Sequence, residues 1–119
     1  LDKGDSSDYY FCFAEYDNRV IGYSSYGPIP FTQNRYDLYW IAVDYNSRQN
    51  GIGKRILQKT EKDILNHNGT CLYVDTSGKE RYTSTRKFYE SQGYVLETVI
   101  KDFYADGDDK YIYSKKLKF

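Results

Sequence analysis

DLYWIAVDYNSRQNGIGKRILQKTEKDIL, residues 37–65, is the stretch from which the rest of the chain can be read. Residues 37–43 are aromatic and β-branched, alternate in part, and contain no Gly or Pro, which predicts a strand. Residues 44–50 are polar and turn-prone. From Gly51 the pattern turns helical: Ile52, Ile56, Leu57, Thr60, Ile64 and Leu65 share one stripe, with Lys54, Arg55, Lys59, Lys62 and Asp63 mostly off it. A strand therefore runs through a glycine-containing loop into a helix.

The first turn of a helix carries backbone N–H groups without intrahelical partners and a partial positive charge. A phosphate can settle there if the backbone is accessible. Gly51 and Gly53 remove side chains that would block the approach, and Arg48, Lys54 and Arg55 add positive charge. The guest this suits is a phosphate or pyrophosphate. Two familiar phosphate loops do not fit. A P-loop needs Ser or Thr after Gly-Lys, where Arg55 stands, and a first glycine where Arg48 stands; the dinucleotide fingerprint needs a glycine at Ile56. On glycine spacing alone, a tight turn that binds nothing is an equal alternative.

Outward from this stretch, 119 residues suit one domain, 1–119, with a polar lead-in at 1–8. With 15 Tyr, tyrosine must supply much of the core volume, and each buried hydroxyl needs a partner or a route to water. The formal net charge of zero argues against a nucleic-acid partner held through its backbone. No apolar run reaches the roughly 20 residues needed to span a bilayer, and no signal peptide is visible. Cys12 and Cys71 lack CxxC spacing and there is one histidine, His67, so no metal is expected; two buried, reduced thiols in a cytoplasmic protein are.

In chain order, strands are predicted at 9–15 and 20–26, joined by a turn at Asp17-Asn18, with Gly27-Pro28 ending the hairpin. Asn66-His67-Asn68-Gly69 closes the helix, with Gly69 as the left-handed cap. A fourth strand at 71–75 should lie parallel to 37–43, because a helix joins them. A short helix at 84–92, with Thr83 as its cap and Gly93 as its stop, precedes strands at 94–104 and 110–117. The expected fold class is α/β (α+β): a mixed sheet of about six strands with two main helices.

Arg48-Gln49-Asn50-Gly51-Ile52-Gly53 matches the Arg/Gln-x-x-Gly-x-Gly/Ala motif of the GNAT superfamily of acyl-CoA-dependent N-acetyltransferases, and Phe88-Tyr89-Glu90-Ser91-Gln92-Gly93-Tyr94 resembles that superfamily's second helix and following strand. The similarity covers nearly the whole chain. It implies acetyl-CoA as cosubstrate, lying where the parallel strands 37–43 and 71–75 splay apart. The backbone of Ile41, Ala42 and Val43 would pair with the pantetheine arm, and the N–H groups of Gln49, Asn50, Gly51, Ile52, Gly53 and Lys54 would hold the pyrophosphate. The reaction implied is direct acetyl transfer to a primary amine of a small molecule or peptide, with Tyr89 as general acid to the departing thiol. A non-catalytic acyl-CoA-binding or regulatory domain is the alternative.

The sequence departs from the family at three points. Ser77 stands where some relatives place a glutamate base, leaving Asp75, Glu80 or Asp37, or a water chain, as proton acceptor. Tyr82 stands where relatives often have an asparagine. Arg86, Lys87 and Lys54 are candidates for the 3′-phosphate. The strand and one or two helices that usually precede the first hairpin have no counterpart. The expectation is therefore an upstream segment, or a homodimer, covering the edge strand at 9–15. The acceptor pocket is expected among Tyr23, Tyr26, Tyr36, Tyr39, Trp40 and Tyr104, with Asp102, Asp106, Asp108 and Asp109 able to attract a cationic amine.

Overall fold

Asp17 and Asn18 both take left-handed backbone angles (φ 57° and 63°), as a two-residue hairpin turn of the primed type requires. They join β1 (Tyr10–Tyr16) to β2 (Arg19–Pro28) in antiparallel register. The computed structural model describes residues 9–118, with the backbone alone at 48–50, so the lead-in at 1–8 lies outside the described residues. β2 runs two residues further than its sequence suggests. Gly27 and Pro28 still pair with Asp37 and Tyr36, and Pro28 is tolerated because it is the strand's last residue.

β3 (Arg35–Val43) leads through a 3₁₀ turn (Tyr45–Asn50) into α1 (Ile52–Asn66), which returns the chain to β4 (Cys71–Ser77), parallel to β3. A second 3₁₀ turn (Glu80–Tyr82) precedes α2 (Thr83–Ser91), and β5 (Val95–Ala105) and β6 (Asp108–Lys116) form the last hairpin. The sheet order is β1-β2-β3-β4-β6-β5.

The stripe expected on α1 is the one it buries. Ile52, Ile56, Leu57, Thr60 and Ile64 are buried and Leu65 is half-buried. Thr60 is a polar member that fits because it is fully bonded: its hydroxyl donates to Ile56 O at 2.7 Å and accepts from Ser24 Oγ of β2 at 2.7 Å. The helix closes on Asn68, not Gly69. Asn68 takes the left-handed conformation (φ 68°), while Gly69 N–H donates to Ile64 O at 2.8 Å. Gly69 is needed for space, since a Cβ there would lie 2.2 Å from Ile64 Cγ2 and 2.8 Å from the Tyr36 ring. Thr83 is likewise not a cap: it is the first residue of α2, and its hydroxyl accepts from Arg86.

Tyrosine does fill the core. Tyr26, Tyr36, Tyr89, Tyr94 and Tyr113 are buried with Leu38, Leu57, Ile64, Leu72 and Val74. Three of these phenols reach carboxylates at the core's rim: Tyr26 donates to Asp63 (3.5 Å), Tyr94 to Glu61 (2.6 Å) and Tyr113 to Glu90 (3.1 Å). Lys115 Nζ anchors Glu61 in turn at 3.1 Å.

One irregularity positions the functional site. β3 pairs with β4 only from Arg35↔Cys71 to Leu38↔Val74, and beyond that the two strands diverge. Where pairing stops, β3 carries a bulge against β2: Tyr26 opposes Leu38 but Ser25 opposes Trp40, so Tyr39 is the extra residue. A bulge bends its strand and increases its twist. β3 thus stays with β2, β4 stays with β6, and a wedge opens between them.

Candidate functional site

The wedge is a cleft of about 850 Å³. The diverging end of β3 supplies Ile41, Ala42 and Val43; the start of α1 supplies Gly51, Gly53 and Lys54; α2 supplies Ser84, Thr85, Phe88, Tyr89 and Gln92. The α2 residues fall at helical spacing, Ser84-Phe88-Gln92 and Thr85-Tyr89, so one face of that helix forms a wall. Only Tyr89 of this wall is singled out by sequence; the i, i+4 spacing was the signal that could have found the others.

At one end of the cleft, Gly51 is left-handed (φ 70°, ψ 20°) and precedes α1 with no side-chain cap, and no acidic residue occupies the first turn. The first intrahelical bond runs from Arg55 N–H to Gly51 O at 3.1 Å. The amides of Ile52, Gly53 and Lys54 therefore have no partner within the helix, and no Ser or Asp cap competes for them. Beside Gly53 there is room: an added Cβ would meet Phe88 and Val43 only at 3.7 and 3.8 Å. This cradle suits an anion that approaches closely. Ile52 contributes backbone alone, since its side chain packs with Ile21 and Ile56 away from the cleft. Arg48, Gln49 and Asn50 end the 3₁₀ turn, and their side chains lie outside the described residues.

A second compartment of about 460 Å³ adjoins the first and shares Ile41, Thr85 and Tyr89 with it. It also has Tyr39, Trp40, Asp75, Thr76, Ser77, Tyr82, Tyr104 and Asp108 on its walls. Of the six aromatic residues expected around an acceptor, Tyr39, Trp40 and Tyr104 are here. Tyr26 and Tyr36 are instead core, and Tyr23 packs on Phe11 and Phe13 on the sheet's other face. Of the hairpin acids, Asp108 is here. Asp102 and Asp109 instead stabilise the turn, accepting from Gly107 N–H and Asp102 N–H at 2.8 and 2.9 Å.

Tyr89 stands on the wall common to both compartments. Its ring meets Phe88 and Tyr94 edge-on, at centroid distances of 5.3 and 5.7 Å. Unlike Tyr94 and Tyr113, its hydroxyl makes no hydrogen bond to the described protein, so its donor is available to whatever fills the cleft. Burial pushes the phenol up to about 12, so it is protonated throughout the neutral range. A phenol raised above its unfolded value of about 10 contributes stability that is complete below pH 10 and lost as pH rises through 12, on the order of 3 kcal/mol. Tyr94, raised by burial and by Glu61, acts in the same direction. Chemical unfolding followed from pH 9 to 12 is expected to show a steep loss of stability, and Tyr89→Phe should flatten part of it.

Among the carboxylates considered as bases, Asp75 lines the second compartment, with Lys110 Nζ 3.4 Å from Oδ2. Asp37 faces an outer recess it shares with Asp75 and Lys110, and its carboxyl is raised first by burial and then by repulsion from Asp75. Glu80 is exposed in the 3₁₀ turn and lines neither compartment. Arg86, a candidate for the 3′-phosphate, is engaged within the protein. It donates to Ser77 O (2.7 Å), Lys79 O (3.0 Å) and Thr83 Oγ1 (3.1 Å) and lies over the Tyr111 ring, tying α2 to the end of β4.

Comparison with known proteins identifies this architecture. The family model described as acetyltransferase (GNAT) family matches residues 2–94. A protein of Methanocaldococcus jannaschii named as an uncharacterised N-acetyltransferase is 30% identical over 106 residues, which are 89% of this chain and 65% of that protein. The chain thus spans about two-thirds of that relative's length. Among solved structures, a GNAT-family protein from Desulfovibrio desulfuricans superposes with a TM-score of 0.93 at 41% identity, covering 98% of this chain and 73% of the other. An aminoglycoside 6′-N-acetyltransferase complexed with coenzyme A has the same fold, with a TM-score of 0.84 at 17% identity over 99% of this chain and 78% of the other. With more than three-quarters of its length matched by the family model, the chain belongs to the GNAT family of acetyltransferases.

Proposed function

We propose that the larger cleft binds acetyl-CoA and that the chain transfers its acetyl group to a primary amine by direct attack, both substrates being bound together. The observation that carries this is the position of Tyr89, on the wall shared by a cleft ending in uncapped helix amides and a second, acid-lined compartment. The coenzyme A in the aminoglycoside acetyltransferase of like fold supports the donor. Backbone of Ile41, Ala42 and Val43 would align the pantetheine arm, and the turn from Arg48, Gln49 and Asn50 through Gly51, Ile52, Gly53 and Lys54 would hold the diphosphate.

The thioester supplies an activated acyl carbon. In the transfer the amine nitrogen bonds to that carbon, the carbon–sulfur bond breaks, and the amine gives up a proton. An ammonium with a pKa of about 10 must be deprotonated before it attacks. Of the candidate bases Asp37, Asp75 and Glu80, Asp75 is the one on the acceptor side, and it takes the proton directly or through water. Tyr89 stabilises the departing sulfur. A free thiol has a pKa of about 8.5, so handing it a proton from a phenol at about 12 is uphill by about 5 kcal/mol. Tyr89 therefore acts mainly by donating a hydrogen bond as charge develops on sulfur, and the thiolate takes its proton from solvent as product leaves. Holding amine and thioester together supplies much of the remaining rate gain.

The test is acetyl-CoA titration by calorimetry, followed by thiol release against a broad amine panel. Binding with saturable thiol release is the expected result. Tight binding with no acceptor anywhere in the panel would favour a regulatory acyl-CoA-binding domain instead.

The free, buried Cys12 and Cys71 support a cytoplasmic location; no helix among the described residues is long and apolar enough to cross a membrane. β1 lies at the sheet's edge with Phe11, Phe13 and Tyr16 at least half exposed, which supports a cover supplied by an upstream segment or by a second copy. Light scattering over a concentration series of residues 1–119 is expected to show self-association; a soluble monomer throughout would count against it.

A further inference from the structure

We propose that the acceptor is a small amine that carries at least one additional positive charge and no carboxylate: a diamine or polyamine in chemical class. This rests on the acetyl-transfer reading and deepens it.

Besides Tyr89, the second compartment has four aromatic residues on its walls, Tyr39, Trp40, Tyr82 and Tyr104, and two acids, Asp75 and Asp108, but among the described residues no Lys or Arg. Aromatic faces attract cations, and an ammonium offers three donors and no acceptor. The polar groups present can accept from it. Asp108 Oδ1 takes a hydrogen bond from Ser77 Oγ at 2.5 Å, leaving Oδ2 without one among the described residues. Asp75 shares Lys110, but that ammonium lines the outer recess and lies 4.2 Å over the Phe103 ring, so it does not enter the compartment. Both acids also help to raise the phenol of Tyr104 after the effect of its burial, which places that ring in their common field.

A second observation is independent of the acids. Thr76 is 7% exposed and lines the compartment, and its Oγ1 is buried with no hydrogen-bond partner. A buried hydroxyl without a partner is costly, and a bound N–H donor would satisfy it. The reacting amine needs one acceptor for its proton; a second acid beside it has use only if a second charge is present. A ligand carboxylate would meet two acids and no cationic side chain on the described walls, which costs affinity.

Three probes on the same five-carbon chain separate these terms: cadaverine has two amines, pentylamine one, and free lysine adds a carboxylate to cadaverine. Their affinities for the coenzyme A-saturated protein are read by calorimetry, alongside thiol release with acetyl-CoA. Cadaverine is expected to bind about tenfold more tightly than pentylamine, with lysine weakest. In Asp108→Asn, which can still accept from Ser77, the advantage of cadaverine should shrink to about threefold or less with coenzyme A affinity unchanged. Should that variant not fold, Trp40→Leu serves: it should weaken cadaverine about fivefold or more through loss of the aromatic face. Pentylamine or lysine matching cadaverine in binding or turnover would overturn the proposal while leaving acetyl transfer intact. A protein that binds no coenzyme A would overturn the transfer reading itself.

Discussion

Tyr89→Phe is expected to reduce acetyl transfer on the order of a hundredfold in kcat, with little change in acetyl-CoA affinity or in stability at neutral pH. The ring and the hydroxyl of Tyr89 have separate roles. Tyr89 is buried in the core and packs against Phe88 and Tyr94, so the ring is structural and Phe retains it. The hydroxyl bonds to nothing in the described protein, so its removal leaves no orphaned partner behind. Tyr94 and Tyr113 provide controls. Removing either hydroxyl takes one hydrogen bond from Glu61, which keeps Lys115, or from the exposed Glu90, and should cost about 1 kcal/mol of stability without the loss of turnover. Denaturant melts and steady-state kinetics on the three Phe variants separate the roles. A Tyr89→Phe enzyme with wild-type kcat would remove Tyr89 from the chemistry.

Gly53→Ala should do the opposite of most binding-site mutations: stability rises while acetyl-CoA affinity falls. Gly53 lies in the first turn of α1, where Ala is favoured over Gly by up to about 1 kcal/mol. The added methyl meets Phe88 and Val43 only at ordinary contact distance, so the fold accepts it. It fills the niche between those two side chains, against the amides proposed to hold the diphosphate. A drop of about tenfold or more in affinity is expected, with a slightly raised Tm. Gly51→Ala is the contrast. Nothing lies within 4 Å of its added Cβ, but at φ 70° an L side chain is strained, so a loss of about 1 kcal/mol is expected, relieved in Gly51→Asn. Calorimetric titration with thermal melts on all three decides. Unchanged affinity in Gly53→Ala would place the diphosphate elsewhere.

The two variants also show where reading the sequence stops. That a strand passes through glycines into a helix was legible at 37–65, because the period of two, the polar break and the period of 3.6 are written in neighbouring residues. The tyrosine on the second helix came with its motif. Legible too was the hairpin turn at Asp17-Asn18, whose left-handed angles few other residue pairs accept. The helix ends were less so. Gly69 signals a left-handed cap, yet Asn68 takes that conformation and Gly69 is required by the approach of Ile64 and Tyr36. Arg86 has the composition of a phosphate ligand, but three carbonyl and hydroxyl oxygens surround it.

Local pattern alone determined the element types, the parallel crossover and the glycine cradle, because each depends on residues close together in the chain. Tertiary structure decided which aromatics are core and which line a wall, which of Asp37, Asp75 and Glu80 reaches the second compartment, and that Thr76 and Asp108 face the same space. Those facts depend on where the bulge at Tyr39 parts β3 from β4. A one-residue slip in register between strands whose partners lie 36 residues of chain and a helix apart turns side chains to the other face, and no local pattern records it.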